Sequence, residues 1–212
     1  MTIIGGSAGY TQFDLYNEAL SQIGAQRILS IADGSTNATL CEGFYPMLRD
    51  SLLRAYHWNF ALTWIQLEPD VTAPIAQFAY AYTLPDDCLR VVGYGGNLPA
   101  SVGVVVSYDY SAYIRPVVQY KIEGRQLLSN DAVAYVHYLR RVDDVAEWDA
   151  LFYQFVATYL ASKLANAITK DPKRAAQLLD TAMNIWLPQA LAADGQEGST
   201  EPYVADDLLW GR

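Results

Sequence analysis

Lysine is nearly missing from this sequence: there are four among 212 residues, against ten arginines, and all charged residues together reach only 17%. A small soluble protein usually carries about 25%. Such a deficit implies surface that partners cover, and the arginine bias is that of interfaces, where a planar, weakly hydrated guanidinium costs less to desolvate. Cations are outnumbered as well, 14 against 23 acids, leaving a formal net charge of −9. That argues against a protein that grips nucleic acid, because neutralised phosphates supply most non-specific affinity. Cysteine and histidine are rarer still, with two of each. Cys41 and Cys88 sit in apolar contexts without metal-ligand spacing, and His57 and His137 are too scattered for a cluster. The expectation is no metal, and thiols that are reduced and buried in a protein made inside the cell.

Also missing is any segment suited to a bilayer or to secretion. The start, MTIIGGSAGYTQ, has no basic region followed by an apolar run, and the longest apolar stretch, Leu151 to Ala167, is interrupted by Gln154, Thr158, Ser162 and Lys163. A soluble chain with no membrane partner is expected. Motifs for catalysis or cofactor binding are missing too. There is no GxSxG elbow and no phosphate loop, and Gly93, Gly95 and Gly96 lead into Asn97-Leu98-Pro99, a loop and not a helix start. The acidic pairs Asp86/Asp87, Asp143/Asp144 and Asp206/Asp207 read as turn chemistry, helix-start charge and tail. Adjacent residues on a strand point to opposite faces, whereas glycoside hydrolysis needs two carboxylates across one bond. No catalytic residue, cofactor site or metal site is expected.

What the chain does have is hydrophobic residues (52%) and tyrosine (16), with 5 tryptophans. A chain of this length buries roughly 70% of its unfolded surface, enough for one domain with an insertion. The tyrosines fit either an interface or a Tyr-rich β core. Thr11, with Asp14 three residues on, caps a predicted helix carrying Phe13, Tyr16, Leu20 and Ile23 and ending at Gly24. A second helix follows the SIADGSTN linker with Leu40, Phe44, Leu48, Leu52 and Ala55, and Pro46 bends it or delays its start. From Trp58 to about Tyr138 short β-branched and aromatic runs take over (FAYAYTLP, LRVVGYGG, VVVSYDY, VVQYKIEG, AYVHYLR), with a hairpin around Glu123-Gly124. Helical spacing returns with Trp148, Phe152, Phe155 and Tyr159, behind a start crowded with Asp143, Asp144, Glu147 and Asp149. Asp171-Pro172 then opens a last helix with Leu178, Leu179, Ala182, Ile185 and Trp186 on its buried side, which Pro188 kinks or shortens.

The expected fold is therefore α+β. Helix pairs at either end form a four-helix bundle (1–57 and 142–193), a β-rich insertion, a small sandwich or barrel-like sheet, occupies 58–141, and an extended acidic tail covers 194–212. In RAYHWNFALTW, Trp58, Phe60 and Trp64 are expected to wedge between bundle and insertion. Leu208, Leu209 and Trp210 are odd for a free tail, so they either dock on a partner or return to the protein's own core.

The run LYNEALSQIGAQRILSIADGSTNATLCEGFYPMLRDSLLRAYHWNFA resembles the opening of the tail tubular protein A family, the head-to-tail adaptors of short-tailed bacteriophages. The matching positions are Ile23-Gly24, Ile28 to Asp33, Arg49-Asp50, Leu53-Arg54 and Trp58 to Ala61. Tyr82 to Val91, Tyr120 to Asn130 and Tyr153 to Thr169 also fit, so the likeness spans about Phe13 to Ala193. His57 departs from it, standing where a proline often precedes the tryptophan. The loop from Gly95 to Tyr113 and the tail beyond Asp194 match weakly. The resemblance implies a virion structural protein made in the host bacterial cytoplasm, assembled as a ring of about twelve copies between the portal protein and the tail nozzle protein. DNA would pass through its acidic lumen without specific binding. The alternative from another class is a carbohydrate- or peptidoglycan-acting hydrolase carried on a tail component, with the aromatic β module as a sugar platform.

Overall fold

A reciprocal cap starts the first helix. The Thr11 hydroxyl accepts from the Asp14 N–H at 3.2 Å while the Asp14 carboxylate accepts from the Thr11 N–H at 3.0 Å, satisfying two donors that a helix start leaves unpaired. The computed structural model describes residues 9–72, 74, 77–95 and 120–197. Helix α1 (Gln12–Gln22) buries Leu15, Tyr16, Ala19 and Leu20, with Phe13 and Ile23 half-buried at the flank of that face. Gly24 closes it at φ +68, the left-handed conformation that favours glycine at a helix end. In the linker Asn17 ties itself to Ile28 twice, accepting its N–H at 2.9 Å and donating to its carbonyl at 3.3 Å. The Ser35 hydroxyl then caps α2 (Thr36–Ala55) through the Ala38 N–H. That helix starts before Pro46 and runs through it. The proline removes the bond residue 46 would donate to Glu42, and burial of Cys41, Tyr45, Leu48 and Leu52 along one face holds the helix together across the gap.

The helix α3 (Ala150–Leu164) is capped by Asp149, which accepts from the N–H groups of Leu151 and Phe152. Ten of its fifteen residues are buried, so it has no solvent stripe and serves as the core against which α1, α4 and α5 pack. It continues through a π-helical turn, Ala165–Thr169, to Lys170, which is left-handed at φ 53. Asp171 caps α4 (Pro172–Thr181) with Pro172 in the first position, as its sequence predicts.

The last helix departs from expectation. A π-helical turn, Ala182–Trp186, joins α4 to α5 (Leu187–Glu197). A wide turn of this kind advances the buried stripe by five residues, from Ala182 to Leu187, instead of three or four. Leu178, Ala182, Leu187 and Ala190 therefore face inward, whereas Leu179 and Ile185, expected inside, are 37% and 48% exposed. The same turn accommodates Pro188, and the chain stays helical through Glu197 and not only to Ala193. Asp194, read as the start of the tail, is buried.

The strands form two antiparallel three-stranded sheets. One has the order β1 (Leu62–Leu67), β6 (Ala134–Arg140), β3 (Cys88–Gly95), and the other β2 (Tyr80–Thr83), β5 (Gln126–Ser129), β4 (Tyr120–Glu123). Between β4 and β5 the two-residue turn Gly124-Arg125 has Gly124 at φ +59, the first-position glycine of a type II′ hairpin. Alternation sends Ala134, Val136 and Tyr138 of β6 inward, where they meet Leu67, Tyr82, Leu84 and Leu127, so the two sheets share one apolar core. A polar clasp crosses that core. The Tyr94 hydroxyl lies 2.7 Å from the Ser129 hydroxyl and donates to Asp131 at 2.9 Å, and the Tyr82 hydroxyl donates to the Asp131 carbonyl. The expected strand VVVSYDY lies outside the described residues.

The protein is thus mixed α+β, with the chain passing between two compact units. One comprises Met1–Leu52, Trp58–Phe60 and Asp143–Arg212, the other Leu53–His57 and Ala61–Val142. Among the described residues no helix is long and apolar enough to cross a membrane.

Candidate functional site

The aromatic residues at the exit of α2 divide between the two units. Trp58 is fully buried in the helical unit. Its ring lies 4.7 Å from that of Phe152 and 6.1 Å from that of Phe60, and Phe60 is itself 5.1 Å from Phe152. The Trp58 Nε1–H donates to the Leu52 carbonyl at 3.1 Å, one of the acceptors that the end of α2 leaves without an intrahelical partner. The indole therefore both fills the core and caps the helix. Trp148, Phe155 and Tyr159 extend the aromatic series along α3. Trp64 is placed elsewhere, on β1 of the β unit, 46% exposed and stacked on His137 at 4.4 Å with parallel rings. Burial, and then the charge of His57, hold the His137 imidazole below its usual range. His57 follows the end of α2 and is exposed. Leu208, Leu209 and Trp210 lie outside the described residues.

The cysteines separate as well. Cys41 is buried, and burial pushes its thiol up to about 12, which makes it inert as a nucleophile at neutral pH. Cys88 is half-buried and not fully enclosed as expected: it packs against the core of the β unit from the start of β3, an edge strand of its sheet. Among the described residues no group of three His, Cys, Asp or Glu is arranged to hold a metal ion.

The described acids of the β unit act as acceptors within the fold. Asp70 accepts from the Thr83 N–H and hydroxyl and from Gln126 at 2.9 Å, binding the loop before β2 to the second sheet. Asp87 accepts from the Tyr138 hydroxyl, Asp86 lies 3.9 Å from Arg125, and Asp131 belongs to the tyrosine clasp. No pair of them is brought to one cleft by these contacts, so no observation favours the hydrolase reading.

Two features of the helical unit escape the sequence. One is an apolar depression of about 180 Å³ between α2 and α3, lined by Phe44, Met47, Leu48, Ser51, Leu52, Tyr159 and Lys163. Met47 stands 73% exposed at its side, and the Lys163 ammonium rests over the Tyr159 ring, 5.2 Å from its centre. The spacing of Phe44, Leu48 and Leu52 was the available signal, but it marks a buried stripe and not the opening beside it. The other is Asp194, whose carboxylate accepts from the Asn59 N–H at 2.8 Å while its carbonyl accepts from the Asn59 side chain at 2.6 Å. This clasp holds α5 to the Trp58–Phe60 turn. Nothing in the acidic tail composition announced it.

Burial raises the Asp194 carboxyl, with the Asn59 N–H pulling the other way and Glu197 and Asp149 adding to the rise. A carboxyl raised on folding is stabilising when protonated. Its contribution is complete below the unfolded value of about 4 and is lost as pH climbs through the folded value. Asp194→Asn keeps an acceptor for Asn59 without the buried charge. It is expected to raise the thermal midpoint at pH 7, with the gain vanishing in acid below about pH 4. Asp194→Ala strands the Asn59 donor and is expected to lower the midpoint at both pH values. Thermal unfolding of the three proteins across pH checks both signs.

Compared with protein-family models and with curated proteins, the chain matches none. The resemblance to head-to-tail adaptors rests on sequence positions alone, and several of those positions have local roles in the fold. Gly24 ends α1. Ile28 is held by Asn17, and Asp33 accepts from the Leu29 and Ser35 N–H groups. Arg49 pairs with Asp50 at 2.8 Å and with Asp143, and Arg54 donates to the Leu89 carbonyl. Trp58 fills the core at the helix exit.

Proposed function

We propose that this chain is a head-to-tail adaptor of a short-tailed bacteriophage, a structural virion protein that forms a ring between portal and tail nozzle and lines the DNA channel. In this reading the helices form a four-helix bundle, the β unit is an insertion between the second and third helices, and the protein carries out no reaction. The observation that carries it is the seating of the motif residues. The positions that carry the resemblance include residues that cap, pin and fill the helical unit, which supports the reading.

Surface chemistry supports the reading. The charged fraction of 17% and apolar side chains left outside (Leu29 at 91% exposure, Ile185 at 48%) fit a subunit covered by neighbours. Heterologous contacts that close by rotation produce such a ring. A net charge of −9 per subunit, repeated around a pore, repels phosphate, which lets DNA slide without sticking. Sedimentation of the purified protein with portal particles tests the proposal. Co-sedimentation that saturates at a fixed ratio to portal supports it; a protein that stays at the top of the gradient at every ratio removes it.

A further inference from the structure

We propose that the depression between α2 and α3 is the docking site of this chain's own Leu208-Leu209-Trp210, bound within the same molecule. The proposal does not depend on the adaptor reading. Its floor and walls are apolar (Phe44, Met47, Leu48, Leu52 and Tyr159), and its rim carries one cation, Lys163. At about 180 Å³ it far exceeds the roughly 10–15 Å³ that a water needs, and it has the scale of one large side chain. Its wall residues also offer few polar groups to hold water, so an apolar occupant gains by entering it.

The occupant follows from sequence and reach. Leu208, Leu209 and Trp210 are preceded at once by Asp206 and Asp207, so an apolar triplet with acids at its leading end meets an apolar depression with a lysine at its rim. Helix α5 carries the chain to Glu197, and its Asp194 is bonded to Asn59, next to the Trp58 that packs on Phe152. Along α3 the rise from Phe152 to Tyr159 is about 10 Å at 1.5 Å per residue. The ten residues 198–207 reach about 33 Å when extended, so the triplet arrives at the depression with slack. Tethering makes the docking a unimolecular event at high effective concentration, which favours the molecule's own tail over that of a neighbour. Lys163, near Tyr159, is placed to pair with Asp206 or Asp207 as the indole enters.

The Met47 side chain supplies the readout. In full-length protein labelled at the methionine methyl carbons, ring current from Trp210 is expected to shift the Met47 signal upfield. The double variant Leu208→Ser, Trp210→Ser moves it back, while the Met183 signal stays in place and reports that the helical unit is folded. Lys163→Glu is expected to give a Met47 signal between those two positions, because charge reversal weakens docking without removing it. The wild-type shift is expected to persist on dilution. A Met47 signal identical in wild type and double variant overturns the proposal, and so does a shift that disappears on dilution, which assigns the depression to a second copy's tail.

Discussion

Alanine at Trp58 is expected to lower the unfolding free energy of the helical unit by about 3–5 kcal/mol, the range for removing a fully enclosed large aromatic side chain. The indole has no exposed surface, and its ring contacts with Phe152 and Phe60 sit where α2 ends. Truncation leaves a cavity against α3, the helix that α1, α4 and α5 all use as their core, so neighbouring side chains cannot close it without shifting several helices. It also takes the Nε1–H donor, at 3.1 Å, from the Leu52 carbonyl. Trp58→Phe separates the two losses, since it keeps most of the packing and gives up the donor, at a cost of about 1 kcal/mol. Trp58 and Phe152 touch, so Trp58→Ala and Phe152→Ala together should cost less than the sum of the two, with a coupling of about 0.5–3 kcal/mol. Chemical denaturation followed by hydrogen exchange at α1 and α3 amides measures all three. A Trp58→Ala protein as stable as wild type would remove this residue from the core.

Tyr82→Ala is the equivalent expectation for the β unit, at about 3–5 kcal/mol. Tyr82 is fully buried on β2 among Leu67, Leu127 and Val136, and its hydroxyl donates to the Asp131 carbonyl. The ring belongs to the core both sheets share, and the hydroxyl belongs to the clasp that joins Tyr94, Ser129 and Asp131. Tyr82→Phe removes only the donor and is expected to cost about 1–3 kcal/mol, because the Asp131 carbonyl, in the loop between β5 and β6, loses a partner in a part-buried setting. Protection of β5 and β6 amides is the readout, with α3 amides unchanged.

Much of this architecture was legible as periodicity and punctuation. Thr11 with Asp14, Gly24, Asp171-Pro172 and Glu123-Gly124 each name a backbone event that only a few residue types satisfy, and the chain turns, caps or restarts at every one. Trp148, Phe152, Phe155 and Tyr159 have the spacing of one helix face and form a continuous series of ring contacts. The failures have a common cause. A stripe is read by assuming a constant 3.6-residue turn, and the π-helical turn at Ala182–Trp186 breaks that assumption, which is why Leu179 and Ile185 face outward and Leu187 inward. Asp194 escapes a compositional reading because composition averages over a segment, while one buried carboxylate needs only one partner, Asn59, 135 positions away in sequence. Trp58 and Trp64 looked equivalent in RAYHWNFALTW. They separate because a short 3₁₀ turn, Asn59–Ala61, lies between them and the chain enters a strand at Leu62.

The adaptor reading is tested most directly by electron microscopy of portal rings incubated with the purified protein. The account predicts an added ring of density on one face of the portal, coaxial with its channel and divided into about a dozen repeats. Portal rings that remain bare in the presence of excess folded protein would contradict it.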